Sequence, residues 1–193
     1  MSDKLGRPRD GSLDTAITAA TEAVLLDEGY AAVSIDRVAK IAGTTRSAVY
    51  RRVKSRAELV IGLLIHRFGT APAPDTGELR RDIEDVQALQ RVFFADAVVR
   101  AGLAGILSDT YAEPSLGAAL YDRFVAPRRQ SVAAMLARAA ARGETAPVDD
   151  PDRISDILTG PLLLHALVPA IGPIDDTLIE TTVNAALNTL DCV

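Results

Sequence analysis

The stretch SIDRVAKIAGTTRSAVYRRVK, residues Ser34 to Lys54, decides the fold of this chain. It predicts two short helices that meet at Gly43. Ser34 is placed to cap the first helix with its hydroxyl, and the apolar side chains of that helix recur at i, i+3, i+4 and i+7. Gly43 stands where this helix has to stop, because a left-handed residue after a helix costs little only for glycine. Thr44 or Thr45 caps the second helix, whose outer face is basic.

Two helices joined by a short turn that contains a glycine match the helix-turn-helix pattern, in which the second helix enters the major groove of DNA. The pattern turns Ala48, Val49 and Val53 inward and leaves the polar side chains of the second helix outside. The residues predicted to bind DNA are Ser34, Thr44, Thr45, Arg46, Ser47, Tyr50, Arg51 and Lys54. The alternative is an ordinary helical hairpin whose basic face is only solvated.

The flanking sequence favours the helix-turn-helix interpretation. Upstream, residues 12–28 carry one apolar stripe and are followed by Gly29, which predicts a first helix. Downstream, Ser55 and Glu58 form a capping box that opens another helix, to about Arg67. Three short helices followed by a longer, more apolar one indicate a compact head, residues 12–69, attached to a larger body, residues 70–193.

Residues 12–64 resemble the N-terminal domain of the TetR/AcrR family of transcriptional regulators. The resemblance rests on short motifs that occur in the order and at the spacings of the family. These motifs are Ala19-Ala20, Gly29-Tyr30, Ser34-Ile35, Val38-Ala39, Ala42-Gly43, Tyr50, Lys54-Ser55, Arg56 and Glu58-Leu59.

The resemblance implies that the helix after the glycine is the recognition helix. Thr45 would cap it and touch a phosphate, while Arg46 and Ser47 would approach base edges. Tyr50 and Lys54 would contact the DNA backbone.

The chain departs from the family pattern at three positions. Glycine is frequent in the family where Ser47 stands, and aromatic residues are usual where Arg52 and Val53 stand. The valine is expected to thin the packing behind the recognition helix, and Arg52 is expected to add a phosphate contact.

The charges are distributed unevenly along the chain. In total, 21 Lys and Arg residues oppose 26 Asp and Glu residues, so the net charge is −5. Residues 1–70 carry 11 basic and 8 acidic residues, whereas residues 71–193 carry 10 and 18. A local cationic patch on an anionic body suits specific docking on DNA better than indiscriminate binding. Affinity is expected to fall steeply with salt, since phosphate neutralisation supplies most of it.

The termini and the composition bound the remaining possibilities. Residues 1–11 are either a disordered terminus or a flexible basic arm whose Lys4, Arg7 and Arg9 reach phosphate or the adjacent minor groove. No signal-peptide core follows them, and no unbroken apolar run approaches the length of a membrane span. The one cysteine, Cys192, excludes an intramolecular disulfide, which fits a reducing cytoplasm. Together these features predict a cytoplasmic protein without a membrane segment.

The body is predicted to be helical as well, since 48% of the chain is hydrophobic, only 4% is aromatic and no run alternates like a strand. After a Pro/Gly-rich connector at 70–77, helices are predicted at about 78–97, 98–111 and 114–125, from Pro127 to Arg142, from Pro151 through a kink at Pro161, and from about 175 to 190. The expected fold is all-α, with an N-terminal three-helix helix-turn-helix DNA-binding domain plus a C-terminal helical ligand-binding and dimerisation domain.

The last two predicted helices are expected to form a homodimer interface. The first of them is apolar almost all round, which a small domain buries poorly, although a simple core role is the alternative. A twofold dimer also suits the head, because each half-site needs its own recognition helix about 34–36 Å from its mate. By resemblance, these helices form a four-helix interface. The predicted interface residues are Ile157, Leu158, Leu162, Leu163, Leu167, Leu178, Val183 and Leu187.

The same resemblance implies a small-molecule effector that binds among the middle helices, shifts the helix linking body to head and releases DNA. Such an effector must bind the DNA-incompetent state better than the competent one. The predicted lining residues are Phe93, Phe94, Ile106, Tyr111, Tyr121, Phe124, Met135 and His165, for which ordinary core or interface packing is the alternative. An apolar or amphipathic effector is expected.

Enzymatic interpretations find little support in the sequence. The chain has two histidines and one cysteine, without metal-ligand spacing, and no glycine-rich phosphate loop follows a strand. No catalytic residue, metal or cofactor is predicted. The predicted function is a ligand-responsive repressor that binds a palindromic DNA operator as a homodimer. The alternative is a DNA-binding head on an architectural body without a small-molecule switch.

Overall fold

The computed structural model describes residues 11–69 and 72–191, which are helical and contain no strand. This confirms the predicted all-α class. The α-helices of these ranges are α1 (Gly11–Glu28), α2 (Ile35–Ile41), α3 (Arg46–Tyr50), α4 (Arg56–Phe68), α5 (Leu79–Ala95), α6 (Ala97–Ala112), α7 (Pro114–Leu120), α8 (Ala126–Ala141), α9 (Pro151–Leu167) and α10 (Asp176–Asp191). The predicted basic arm lies outside the described residues, apart from Gly11, which begins α1.

The helices of the head begin where the sequence predicts caps. The hydroxyl oxygen of Ser34 accepts the amide of Arg37 at 3.3 Å. Thr45, not Thr44, caps α3, because its Oγ1 accepts the amide of Ala48 at 3.2 Å. Between α2 and α3, Gly43 adopts φ +64°, a conformation that glycine reaches without strain.

The apolar interior forms two clusters, and their division does not follow the boundary between head and body. The first, called the proximal core, joins head residues such as Leu25, Val38 and Val60 to the body residues Val98, Ile106, Phe124 and Leu162. The second, called the distal core, lies wholly in the body and includes Ile83, Met135, Leu136, Ile154 and Leu158. The apolar core of the head is therefore continuous with the near end of the body.

Helices α7 and α8 form one continuous rod, although the sequence predicts two separate helices. A π-helical turn, Tyr121–Val125, joins them, and the amide of Ala126 donates to the Tyr121 carbonyl. Pro127 therefore lies just inside α8 without breaking the rod. The physical reason is that the wider π turn makes room for a proline ring, which would otherwise clash with the carbonyl four residues before it.

Helix α9 also runs without interruption through a proline, Pro161. It packs against α5, α6, α8 and α10, so it occupies the centre of the body. Across the two described ranges, none of the helices combines the length and the apolar character that a membrane crossing requires.

Candidate DNA-binding surface and its connection to the body

Helix α3 presents a polar face to solvent and anchors its other face in the proximal core. Ala48 is 6% exposed, and Val49 is fully buried and belongs to the proximal core. The outward residues are those that the sequence predicts, since Arg46, Ser47, Tyr50 and Arg51 are exposed and Thr44 is half-buried. The anchored apolar pair therefore fixes which side of this five-residue helix faces solvent.

Arg46 is held in place on this surface by two neighbours. Its Nη2 donates to the Tyr50 hydroxyl at 3.2 Å, and its guanidinium lies 5.2 Å from the centre of the Tyr50 ring. Its Nε lies 2.8 Å from Oδ1 of Asp36. The hydrogen bond to Tyr50 and then the carboxylate of Asp36 raise the pKa of Arg46. Tyr50 thus orients the guanidinium of Arg46, and Asp36 forms an exposed ion pair with it.

A shallow concavity of about 370 Å³ lies beside α3. Ser34, Tyr50 and Lys54, three of the predicted DNA contacts, line it together with Asp36 and Arg56. Residues that are 20 positions apart in the sequence therefore meet on one surface. Its width and cationic rim suit a phosphate backbone better than an enclosed small molecule.

Arg52 has a different role from the one that the sequence suggests. Its Nε forms an ion pair with Asp14 of α1, and its Nη1 donates to the Ala48 carbonyl at 3.3 Å. The side chain is only 20% exposed. The expected phosphate contact of Arg52 is therefore wrong, because the guanidinium instead ties the end of α3 to α1.

The N-terminal end of α4 is joined to α6 by an ion pair that sequence reasoning missed. Arg56 contacts Asp109 with two hydrogen bonds, Nε to Oδ2 at 2.9 Å and Nη2 to Oδ1 at 3.0 Å. The hydroxyl of Tyr30 donates to the same Oδ2 at 2.9 Å, and the Arg56 guanidinium lies 5.1 Å from the centre of the Tyr30 ring. Tyr30 and Arg56 both belong to the family motifs of the head, but nothing near them in the sequence points to Asp109.

Hydrogen bonding from Arg56 holds the pKa of Asp109 below its ordinary value, and Tyr30 adds to this effect. Burial, followed by the hydrogen bond to Asp109, raises the pKa of Tyr30. Near neutral pH, Asp109 therefore stays ionised and Tyr30 stays neutral. We call Tyr30, Arg56 and Asp109 the upper clamp.

The C-terminal end of α4 is joined to the N-terminal end of α6 by a second contact. Arg67 donates to Oδ2 of Asp96 at 2.8 and 3.0 Å and to Glu22 of α1 at 2.9 Å. Asp96 also caps α6, because its Oδ1 accepts the Val98 amide at 2.8 Å. We call Arg67, Asp96 and Glu22 the lower clamp. Helices α4 and α6 are thus fastened antiparallel at both ends.

Arg128 of α8 reaches the end of α4 as well. Its Nη1 donates to the Phe124 carbonyl at 2.6 Å, and its Nη2 donates to the Gly69 carbonyl. The guanidinium lies 3.6 Å from the centre of the Phe124 ring, and burial lowers the pKa of Arg128. A cation at the C-terminus of a helix is favoured by the helix dipole. Arg128 therefore joins the end of α4 to α8.

The structure brings only some of the predicted effector residues together. Phe93 lies at the centre of an aromatic cluster, with ring centroids 4.8 Å from Phe68, 5.0 Å from Phe94 and 5.6 Å from Phe124. Ile106 is buried in the same proximal core.

The other predicted effector residues lie elsewhere. Tyr111 is 94% exposed and Tyr121 46% exposed, so neither lines an interior site. Met135 is fully buried in the distal core. His165 is half-buried and its Nδ1 lies 3.0 Å from the Gly172 carbonyl. Periodicity could not separate these cases, because an aromatic residue at the solvent end of a helix resembles one in the core.

Three of the predicted interface residues are wrong for that role. Leu158 and Leu162 have no exposed surface and Val183 has 2%, all within a single chain. The physical reason is that four helices surround α9 and bury most of its apolar circumference internally. Ile157, Leu163, Leu178 and Leu187 are half-buried. The exposed apolar residues at this end are Leu164 (51%), Leu167 (37%), Val168 (43%) and Ile171 (52%).

Comparison with known families covers both halves of the chain. A family model described as "Bacterial regulatory proteins, tetR family" matches residues 17–69. A second one, "Tetracyclin repressor-like, C-terminal domain", matches residues 73–186. The matched ranges include α3 and the clamps as well as nearly all of the body.

Relatives match over almost their full length. An HTH-type transcriptional regulator of Mycobacterium tuberculosis is 32% identical over 178 residues, which is 89% of this chain and 86% of that protein. The DNA-binding transcriptional repressor TetR of Mycobacteroides abscessus is 29% identical over 189 residues, 93% of this chain and 94% of that protein.

Solved structures share the fold. The TetR family transcription regulator SCO0332 superposes with a TM-score of 0.74 at 24% identity, covering 92% of this chain and 97% of its own. The flavonoid-responsive regulator FrrA superposes with a TM-score of 0.67 at 20% identity, covering 94% and 96%. The structures show the shared fold, and the two family models together with the 32% identical relative show that the chain belongs to the TetR family and is a DNA-binding transcriptional regulator, not an enzyme.

Proposed function

We propose that this protein is a ligand-responsive repressor that acts in the cytoplasm, binds a palindromic operator as a homodimer and releases it when a small molecule binds the body. The observation that carries the proposal is the exposed cationic face of α3 on a head whose α4 is fastened to α6 of the body at both ends. A surface that can read DNA is thereby mechanically connected to a separate helical domain.

On the DNA side, Arg46 and Ser47 lie on the solvent face of α3 and approach base edges. Tyr50, Arg51 and Lys54 neutralise the flanking phosphates. Ser34, Thr44 and Thr45 add hydroxyl donors, since a hydroxyl whose oxygen caps a helix still has its own hydrogen to give to a phosphate. Base contacts would set the sequence preference, and phosphate contacts the orientation.

The dimer forms through the C-terminal end of α9 and the turn that follows it. Leu164, Leu167, Val168 and Ile171 are exposed apolar residues close together in the sequence, and such a patch is typical of an interface. A twofold axis through it would pair each patch with its own copy and carry two recognition helices. The half-buried Leu163, Leu178 and Leu187 would flank the contact.

Release follows from the attachment of α4. A ligand that moves α6 or α8 pulls on Asp109, Asp96 or Arg128, and each of these residues holds α4 or its end. Each clamp holds α4 by more than one hydrogen bond. A displacement of α6 therefore rotates the head, because no single flexible contact can absorb it. The ligand thereby favours a spacing of recognition helices that does not fit the operator.

Selection of bound duplexes from a random DNA pool tests the DNA part of the proposal. We expect a palindrome whose half-sites lie about one helical turn apart. Arg46→Ala should reduce operator affinity more than about tenfold, as expected for loss of a base contact. Arg81→Ala is a matched control, because Arg81 is 64% exposed against 62% for Arg46 and also lies near one carboxylate.

Failure to bind any duplex at low salt would reject the proposal. Equal effects of the two substitutions would reject the assignment of α3 as the reading helix. If binding were retained but no small molecule lowered the affinity, the architectural alternative would replace the ligand-responsive one.

A further inference from the structure

Two glutamines interrupt the apolar face of α5 between the two cores. On this face, Ile83 and Val86 belong to the distal core and Phe94 belongs to the proximal core. Gln87 and Gln90 stand between them. Gln87 has no exposed surface, and the side-chain oxygens of both residues are buried without a hydrogen-bond partner among the described residues.

The orientation of the Gln87 amide is fixed by its neighbours. Its Nε2 donates to the Leu158 carbonyl at 2.9 Å and to Oγ1 of Thr182 at 2.7 Å. The Thr182 hydroxyl donates its own hydrogen to the Ile179 carbonyl at 2.8 Å. Both neighbours of Nε2 are therefore acceptors, so the amide cannot be turned round. The free atom of Gln87 has to be its oxygen.

Gln90 presents a second buried oxygen on the same side of α5. Residues three positions apart on a helix have Cβ atoms about 5–6 Å from each other, so the two side chains leave α5 side by side. Native proteins leave few buried polar atoms unpaired, because each keeps its desolvation penalty without a compensating bond. Leucine would fill either position at lower free energy if packing were the only requirement. Two unpaired acceptors on one helix face therefore indicate donors supplied by another molecule.

The part of α9 that Gln87 contacts lies one turn before a proline, Pro161. Pro161 has no amide hydrogen, so the carbonyl four residues earlier, that of Ile157, loses its helical partner. Gln87 contacts the carbonyl of the next residue, Leu158. A molecule that enters here meets a turn that already lacks one backbone bond, and this turn moves outward at lower cost than an intact one.

We propose that Gln87 and Gln90 form the effector site, and that the effector is an uncharged molecule with two hydroxyl or N–H donors about 5 Å apart on an apolar frame. The word effector rests on the proposed function, whereas the binding site itself does not. The frame packs between the two cores, and the donors pair with the two amide oxygens. A charged ligand is disfavoured, because Gln87 has only neutral partners and a buried charge requires an opposite one.

Resorcinol is a suitable probe, since its two hydroxyls have this spacing, and 1,3-dimethoxybenzene is the matched compound without donors. The chain contains only three glutamines, Gln87, Gln90 and the exposed Gln130, so ¹⁵N-glutamine labelling of the full-length protein resolves each side chain. We expect resorcinol to shift the amide signals of Gln87 and Gln90 and not that of Gln130. The dimethoxy compound should shift none of them.

Gln90→Leu separates a ligand-binding role from a structural one, with Gln130→Leu as the control. The buried substitution should raise the Tm of the ligand-free protein by about 2–4 °C, because it removes an unpaired acceptor. It should also weaken resorcinol binding at least about tenfold, the effect of losing one buried hydrogen bond. The control substitution should change neither quantity.

A lower Tm for Gln90→Leu would overturn the proposal, since it would show that the amide stabilises the fold. Equal shifts with both compounds, or no shift with resorcinol, would overturn it as well. These measurements use no DNA. They can therefore fail while operator binding succeeds, or succeed while operator binding fails.

Discussion

The contact between Tyr30 and Gly105 permits a test of how closely the head is joined to the body. A Cβ atom added at Gly105 would lie 2.1, 2.4 and 2.6 Å from Cδ1, Cγ and Cε1 of the Tyr30 ring. Carbon atoms pack at about 3.5–4.0 Å, so the ring would have to move by more than about 1 Å. Because the ring also carries a hydroxyl bonded to Asp109, that movement would open the upper clamp.

The expected magnitude for Gly105→Ala is the balance of three effects. Overpacking costs about 1–3 kcal/mol, and loss of the hydrogen bond costs about 1 kcal/mol. The higher helix propensity of alanine offsets up to about 1 kcal/mol of this loss. The free energy of unfolding should therefore fall by about 2 kcal/mol, which lowers the Tm by about 4–8 °C for a chain of this size.

Thermal unfolding followed by circular dichroism measures this change. Gly62→Ala on α4 is the matched control, because nothing lies within 4 Å of its added Cβ and its backbone is helical. It should leave the Tm unchanged or raise it slightly. Repeating Gly105→Ala in a Tyr30→Ala background should remove most of its penalty, since the clashing ring is absent. The same penalty in both backgrounds would refute the clash as its cause.

Three further outcomes are expected. Asp36→Asn should tighten operator binding by up to about fivefold in fluorescence anisotropy, because Arg46 loses a competing carboxylate, and weaker binding would show instead that Asp36 positions the cation. Leu164→Glu should yield monomers of unchanged helix content by light scattering, whereas an intact dimer would move the interface elsewhere. The lowered pKa of Asp109 adds stability that is present above the ordinary carboxylate pKa and is lost as the pH falls through the folded value. The Tm difference between wild type and Asp109→Asn should therefore shrink below about pH 4, and a constant difference down to pH 3 would contradict the role of its charge.

The local features of the head could be predicted from the sequence because they depend on residues within four positions of each other. Ser55 caps α4 by accepting the Glu58 amide at 3.1 Å, as the capping box indicates. The split of α3 into a buried and an exposed face followed from its apolar spacing alone. The predicted DNA contacts lie on this exposed surface for the same reason.

The contacts between distant parts of the chain could not be predicted in this way. Arg56 and Asp109 are 53 positions apart, and Gln87 and Thr182 are 95 apart. No local periodicity relates such pairs, and many arginines and carboxylates in the chain are equally suited to pair. The same limit explains why Arg52 was expected to contact phosphate, although it contacts Asp14.

The sequence by itself determined the class of fold, the position of α3 and its outward face, since helix periods and caps act over a few residues. Only the tertiary structure decided which side of the apolar helix α9 remains exposed, with Leu158 inside and Leu164 outside. The physical reason is that a helix apolar all round carries no signal of direction, so its exposed side is set by the helices that surround it. The unpaired oxygens of Gln87 and Gln90 became visible in the same way, because a buried acceptor is recognised only when its neighbours are in place.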